Sequence, residues 1–241
     1  MKRFTEIFWW PLEHDEVRFP WVKILTAEPK HFYPLLKAQR EGSPYLKCPS
    51  IAESCKNSFV ICCPYDLVLT FDKQNKNITT DRYGQAFYDR FIVNRSARSD
   101  YKEEHPMVFS ILINYLFFSH DDTEIEVRDV PLLTSESTKN IKMIPGRFNI
   151  SKWFRPIEFA AEVIDDTQPV VLKAGDPLFM VTFITKNGVP VKMTRRFDSP
   201  EIKATMVAFT SLKMMRPGLN LKECYAVGES LIGAMKRWLI K

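Results

Sequence analysis

Between residues 59 and 184 the apolar positions fall into short runs divided by polar turns, which is the pattern of strands. Phe59-Val-Ile-Cys-Cys63 and Leu67-Val-Leu-Thr-Phe-Asp72 come first, and the polar stretch Lys73 to Lys76 then leads into Asn77-Ile-Thr-Thr-Asp81, predicting a β-hairpin. Phe109 to Phe118 is almost unbroken and rich in β-branched and aromatic residues, as expected of a core strand. Ile125 to Val130 alternates instead, which predicts one wet face. Ile157 to Val163, Val170 to Leu172, Leu178 to Ile184 and Val189 to Met193 complete a set of roughly eight strands.

The ends of the chain read differently. Residues 1–58 carry Pro11, Pro20, Pro29, Pro34, Pro44 and Pro49, too closely spaced for long elements. The short apolar pieces between them, Phe19 to Leu25 and His31 to Leu36, predict a proline-rich arm packed on the body. Beyond residue 198 the period becomes helical: Ser199-Pro-Glu opens a helix running to about Met214, and Arg216-Pro-Gly stops it. Asn220-Leu-Lys-Glu223 has capping-box spacing before Tyr225, Leu231, Ile232, Met235, Trp238 and Leu239. The expected fold is therefore mainly β with C-terminal helices: an arm over 1–58, a β-sandwich or jelly roll over 59–197, and a helical hairpin over 198–241.

Composition narrows the function classes. The chain has 241 residues, enough for a sizeable core, and 45% of them are hydrophobic. Eight glycines are few, and neither G-x-x-x-x-G-K nor G-x-G-x-x-G occurs. A net charge of +5 permits an acidic partner without demanding one. No apolar run is long enough for a signal peptide or a membrane span, and five cysteines, an odd number, fit reduced thiols, so a soluble intracellular protein is expected. The N-x-S/T triplets at Asn77, Asn94 and Asn149 are then chance matches.

No reaction signature stands out. Cys48, Cys55, Cys62 and Cys63, with His31 upstream, lack the tight C-x-x-C knuckle of structural zinc sites and read as buried, inert thiols. His120-Asp121-Asp122 has the i, i+2 spacing of part of a non-haem iron facial triad, but it sits at the polar end of a strand and a hairpin turn explains it better. Asp165-Asp166 reads as a solvated turn, and no G-x-S-x-G elbow is present. No cofactor or metal is implied.

Ile144 to Phe159 is the most informative stretch, answered by Val170 to Phe183 through a Gly175-Asp-Pro corner. It reads as a strand pair closing the sandwich. Arg147, Lys152 and Arg155 stand there among Phe148, Trp153, Phe154 and Phe159. Such a group reads first as a core strand with its charges turned outward, then as a protein interface, and last as a single-strand nucleic-acid platform. A second basic group, Lys192-Met-Thr-Arg195-Arg196, reads as a solvated loop or a contact between subunits.

Several short segments, Lys47-Cys-Pro-Ser, Lys56-Asn-Ser-Phe-Val-Ile-Cys-Cys-Pro-Tyr-Asp-Leu, Ile144-Pro-Gly, Phe154-Arg-Pro-Ile-Glu-Phe and Leu172-Lys-Ala-Gly-Asp-Pro-Leu, resemble an uncharacterised family of tailed, T4-like marine bacteriophages over about residues 45–185. The resemblance implies an accessory or structural phage protein in the infected cell's cytoplasm or the virion, and brings no activity. The strand layout is also similar to dUTPase-like folds, but the Asp-bearing motif and glycine-rich arm of those enzymes are missing and only Tyr65-Asp66-Leu67 echoes them. The expected function is non-catalytic: assembly with a protein partner or with itself. It would act through Arg147, Lys152, Trp153, Arg155 and Trp238, with Trp9, Trp10, Met214 and Met215 as further apolar contacts. The alternatives are a jelly-roll oxygenase using His120 and Asp122, a degenerate nucleotide hydrolase, and a nucleic-acid-binding accessory protein.

Overall fold

The computed structural model of the chain describes residues 4–11, 28–64, 66–81, 84–97, 102, 105–133, 135–196, 200–215 and 218–229. Its body is a β-sandwich. With strands numbered in chain order, the six-stranded sheet runs β14 (Val191–Arg195), β1 (Thr5–Pro11), β7 (Val108–Phe118), β11 (Pro156–Val163) and β9 (Ile141–Met143), and β6 (Ile92–Asn94) also pairs with β7. The five-stranded sheet runs β10 (Gly146–Asn149), β8 (Thr123–Arg128), β13 (Pro177–Thr185), β3 (Ser58–Cys62) and β2 (Lys30–His31). A small third sheet joins β12 (Val170–Leu172) to the expected hairpin β4 (Leu67–Asp72) and β5 (Asn77–Thr80). The Asp72 carboxylate accepts the Asn75 backbone N–H at 3.1 Å and ties that hairpin's turn.

Side-chain alternation divides the interior into three cores. Ile7 and Trp9 of β1, with Phe109, Ile111, Ile113, Tyr115 and Phe117 of β7, face Phe59, Ile61, Phe179, Val181 and Phe183 across the sandwich. The opposite faces of β1 and β7 carry Phe8, Trp10, Leu116 and Phe118, which are buried with Phe209 of α4 (Pro200–Met215) and Cys224 of α5 (helical over 221–229). On the far side, Val60, Cys62 and Met180 pack with Phe32 and Leu36 of α1 (Phe32–Gln39), and Ile51 of α2 (Pro49–Ser54) lies against them. The layers are therefore helices, sheet, sheet, helices. Double coverage explains why Phe109–Phe118 shows no alternation: its last residues are buried on both faces.

Three expectations need correction. Residues 5–11 do not lie across the body; β1 is inside the larger sheet, parallel to β14 and antiparallel to β7. Residues 28–58 hold two helices that the prolines concealed. Pro49 is the first residue of α2 and Pro34 lies in the first turn of α1, where backbone N–H groups have no intrahelical partner to lose. Phe19 to Leu25 lies outside the described residues. The third correction concerns the stretch from Ile144 to Phe183. Its strands β10 and β11 belong to different sheets, and β8 separates β10 from β13, so no strand pair closes the sandwich there. A further helix, α3 (Gly84–Phe91), brings Phe87 and Phe91 into the central core, and nothing in the periodicity announces it.

The Gly-Asp-Pro corner has a plain cause. Gly175 takes φ +88°, where a side chain is strained, and donates its N–H to the Cys63 carbonyl at 2.8 Å. Cys63 returns its own N–H to the Asp176 carbonyl at 2.7 Å, and the Asp176 carboxylate accepts the Ser137 hydroxyl at 3.1 Å. Among the described residues no helix is long and apolar enough to cross a membrane.

Candidate functional site at the crossing between sheets

The chain passes from one sheet to the other between Asn149 and Pro156, and Asn149 organises that passage. Its carbonyl accepts the Trp153 N–H at 2.9 Å, and its side-chain oxygen accepts the Ser151 N–H at 2.9 Å and hydroxyl at 2.6 Å. Its amide nitrogen donates to Asp122 at 2.6 Å, and its backbone N–H donates to the Tyr225 hydroxyl of α5 at 2.7 Å. With 6% exposure and this amide committed, Asn149 offers no acceptor for a glycan in the folded chain. Burial pushes the Tyr225 phenol above its ordinary range, partly offset by the Asn149 N–H.

Helix α5 reaches the crossing because its start is fixed by the expected capping box. Asn220 accepts the Glu223 N–H at 3.0 Å, while Glu223 accepts the Asn220 N–H at 2.9 Å. Gly228 then allows close approach: a Cβ there would lie 2.0 Å from the Lys152 carbonyl oxygen.

The crossing sorts the predicted site residues apart. Trp153 is 2% exposed and meets Phe209 edge to face with centroids 5.0 Å apart, so its ring belongs to the core beneath α4. Arg147 is exposed on β10 and forms an ion pair with Glu124 across to β8, which raises the guanidinium pKa further. Lys152 lies 3.4 Å from Glu229. Arg155 is different: it lies over the Phe148 ring at 5.8 Å and donates to the Pro156 carbonyl at 3.4 Å, with no carboxylate partner among the described residues. Trp238 lies outside the described residues, as do the side chains of Met214 and Met215. Trp9 and Trp10 are 0% exposed and supply core, so neither can contact a partner.

Between edge strand β10 and strands β9 and β11, where the sheets part, lies a groove of about 270 Å³. Arg147, Phe148, Arg155, Ile157 and Glu158 line it, with Ile144 and Leu221 at its mouth. Ile144 is 39% and Leu221 46% exposed. Glu158 is held by Arg95 at 2.5 Å. The volume lies near the lower end of the roughly 300–1,000 Å³ of small-molecule sites. No local sequence signal marks Ile144 or Leu221 as exposed, because their exposure depends on where the chain crosses between the sheets.

The other candidates have structural roles. His120 packs edge-on against Phe118 at 5.1 Å and Phe8 at 5.5 Å, and Asp122 holds Asn149. Among the described residues no three His, Cys, Asp or Glu side chains are placed to share a metal ion. Cys55, Cys62 and Cys63 are buried, and burial pushes the thiols of Cys55 and Cys62 up. Cys48 departs from the expected pattern: it is exposed, and hydrogen bonds from the Ser50 hydroxyl and from the Ser50 and Ile51 N–H groups lower its pKa. The chain matches no family model and no curated protein.

Proposed function

We propose that this protein is a non-catalytic binding or assembly module that takes a protein partner at the groove where the chain crosses between its sheets. The observation that carries the reading is the company of Arg155: a rim cation without a carboxylate partner among the described residues, beside the exposed apolar side chains of Ile144 and Leu221. An apolar anchor with a neighbouring carboxylate would bury the first against Ile144 and Leu221 and pair the second with Arg155. A single-strand nucleic-acid platform needs open ring faces and uncompensated cations. Here Trp153 is buried and Arg147 and Lys152 already have carboxylate partners, which favours protein over nucleic acid. The resemblance of residues 45–185 to tailed-phage proteins makes particle assembly or the infected cell the proposed setting.

The test combines solution mass across a concentration series with partner capture by wild-type protein, Leu221→Asp and Arg155→Glu. Self-association or a retained partner that both substitutions weaken is the expected result. A strict monomer that retains nothing defeats the proposal. Oligonucleotide binding that falls with salt and survives Leu221→Asp moves the function to nucleic acid.

A further inference from the structure

We infer a second interaction surface, independent of the groove: the outer edge of β14, which pairs with no further strand among the described residues, accepts an extended acidic peptide segment as an added strand. The hydrogen-bond register shows which backbone groups are available. Thr5 N–H bonds the Pro190 carbonyl at 2.8 Å and Arg196 N–H bonds the Trp9 carbonyl at 2.9 Å. Together with the parallel pairing of Thr5 with Val191 and Trp9 with Arg195, this turns the even-numbered residues toward β1 and the odd-numbered ones outward.

The Asn57 side chain already behaves as one peptide unit of a neighbouring strand on that outer side. Its amide nitrogen donates to the Val189 carbonyl at 3.0 Å and its oxygen accepts the Val191 N–H at 3.0 Å. Beyond that substitute, the outward groups of Met193 and Arg195 continue the edge, with β14 last in the sheet order. An exposed edge of this kind is the template for strand addition.

The side chains specify the charge of the occupant. Lys192 and Arg196 share one face of β14, about 13 Å apart at the strand's rise per residue, and Arg195 lies on the other. Each rests on an aromatic ring: Lys192 over Phe4 at 5.4 Å, Arg195 over Trp9 at 5.5 Å and Arg196 over Phe8 at 4.7 Å. Among the described residues none of the three has a carboxylate partner, since Glu6 accepts from Thr194 instead. A second copy of β14 is excluded by like charge, because antiparallel self-pairing would set cation against cation. Stacked bases are disfavoured because the protein's own cations cover the Phe4 and Phe8 rings. An antiparallel strand with carboxylates at positions i and i+4 places them opposite Lys192 and Arg196, with its backbone on Met193 and Arg195.

The probe is a labelled peptide, acetyl-Ser-Glu-Val-Thr-Val-Glu-Ser-amide, measured by fluorescence anisotropy against the full chain. Binding is expected, and the double reversal Lys192→Glu/Arg196→Glu weakens it about tenfold or more. Met193→Pro removes an outward N–H without touching the bonds to β1, and abolishes binding. N-methylation of alternate peptide nitrogens makes the same test without altering the protein. Binding indifferent to N-methylation is charge attraction alone and overturns strand addition. No binding overturns it too, leaving the cations as guards against edge pairing. Tighter binding of oligothymidylate, displacing the peptide, reassigns the edge to nucleic acid. Peptide binding lost in Leu221→Asp belongs to the groove and also overturns this proposal.

Discussion

Two parts of this molecule have nearly the same ingredients, cations among aromatic residues, and use them in opposite ways. At the crossing, the Trp153 ring turns inward under α4, and Arg147 and Lys152 are matched with Glu124 and Glu229. At the β14 edge, Lys192, Arg195 and Arg196 lie over Phe4, Trp9 and Phe8 with no carboxylate opposite among the described residues. The difference follows from topology. The crossing must fill the space between the larger sheet and two helices, so its rings are consumed as packing. Among the described residues the edge strand pairs with a strand on one side only, and its charges are exposed. Composition predicts the ingredients, and position in the sheet decides which of them hold the fold together and which, like Arg155 at the crossing and the cations of β14, stay without a carboxylate among the described residues.

Emptying the crossing tests its packing role most strongly. Trp153→Ala leaves a cavity between Phe209 and the sheet and is expected to cost about 3–5 kcal/mol in urea unfolding; a loss under about 1 kcal/mol would mean that the ring is not core. A smaller effect is expected at the hydrogen bond joining α5 to the crossing. Tyr225→Phe orphans the Asn149 N–H and costs about 1–2 kcal/mol. The same residue gives a pH signature. Burial raises the Tyr225 phenol pKa and raises that of Tyr115, between the sheets, further. The folded state therefore keeps protons that the unfolded chain releases from about pH 10. Stability from these phenols is intact below that pH and falls as pH rises through the folded values. Unfolding midpoints measured from pH 8 to 11 should decline only at the alkaline end, and less steeply in Tyr225→Phe.

Much of this architecture is legible in the sequence, and what is hidden has physical reasons. The hairpin of β4 and β5 is local, and β11 alternates apolar and polar positions along its length, so periodicity finds both. The helix start at Asn220 follows from its capping box. Strand β1 escapes because its partners are distant: Thr5 pairs with Val191, and Trp10 with Leu116, contacts that no local pattern encodes. The run Phe8-Trp9-Trp10 suggests an exposed apolar surface, yet its side chains alternate between two cores. At the candidate site, the sequence draws attention to Arg147, Phe148 and Arg155, which line one groove. It cannot reveal that Asn149 redirects the chain, burying Trp153 and opening a groove beside Ile144 and Leu221. Exposure there depends on the separation of two sheets, a property of the assembled fold.

The smallest expected effects separate the two regions most cleanly. Arg147→Met and Arg196→Met each remove one exposed guanidinium, and each should cost no more than about 1 kcal/mol of stability. In dilute buffer the two losses are hard to tell apart. In 1 M salt the Debye length shrinks to about 3 Å, so the Arg147–Glu124 attraction is largely screened and Arg147→Met approaches wild type. Arg196→Met converges less, because the guanidinium over Phe8 also contributes van der Waals contact that salt leaves in place. Binding then divides them: Arg196→Met weakens the acidic peptide about threefold, whereas Arg147→Met, whose charge is already matched, leaves it unchanged. Equal effects of both substitutions on the peptide would mean that the two cation groups act only through net charge, and the distinction between crossing and edge would fail.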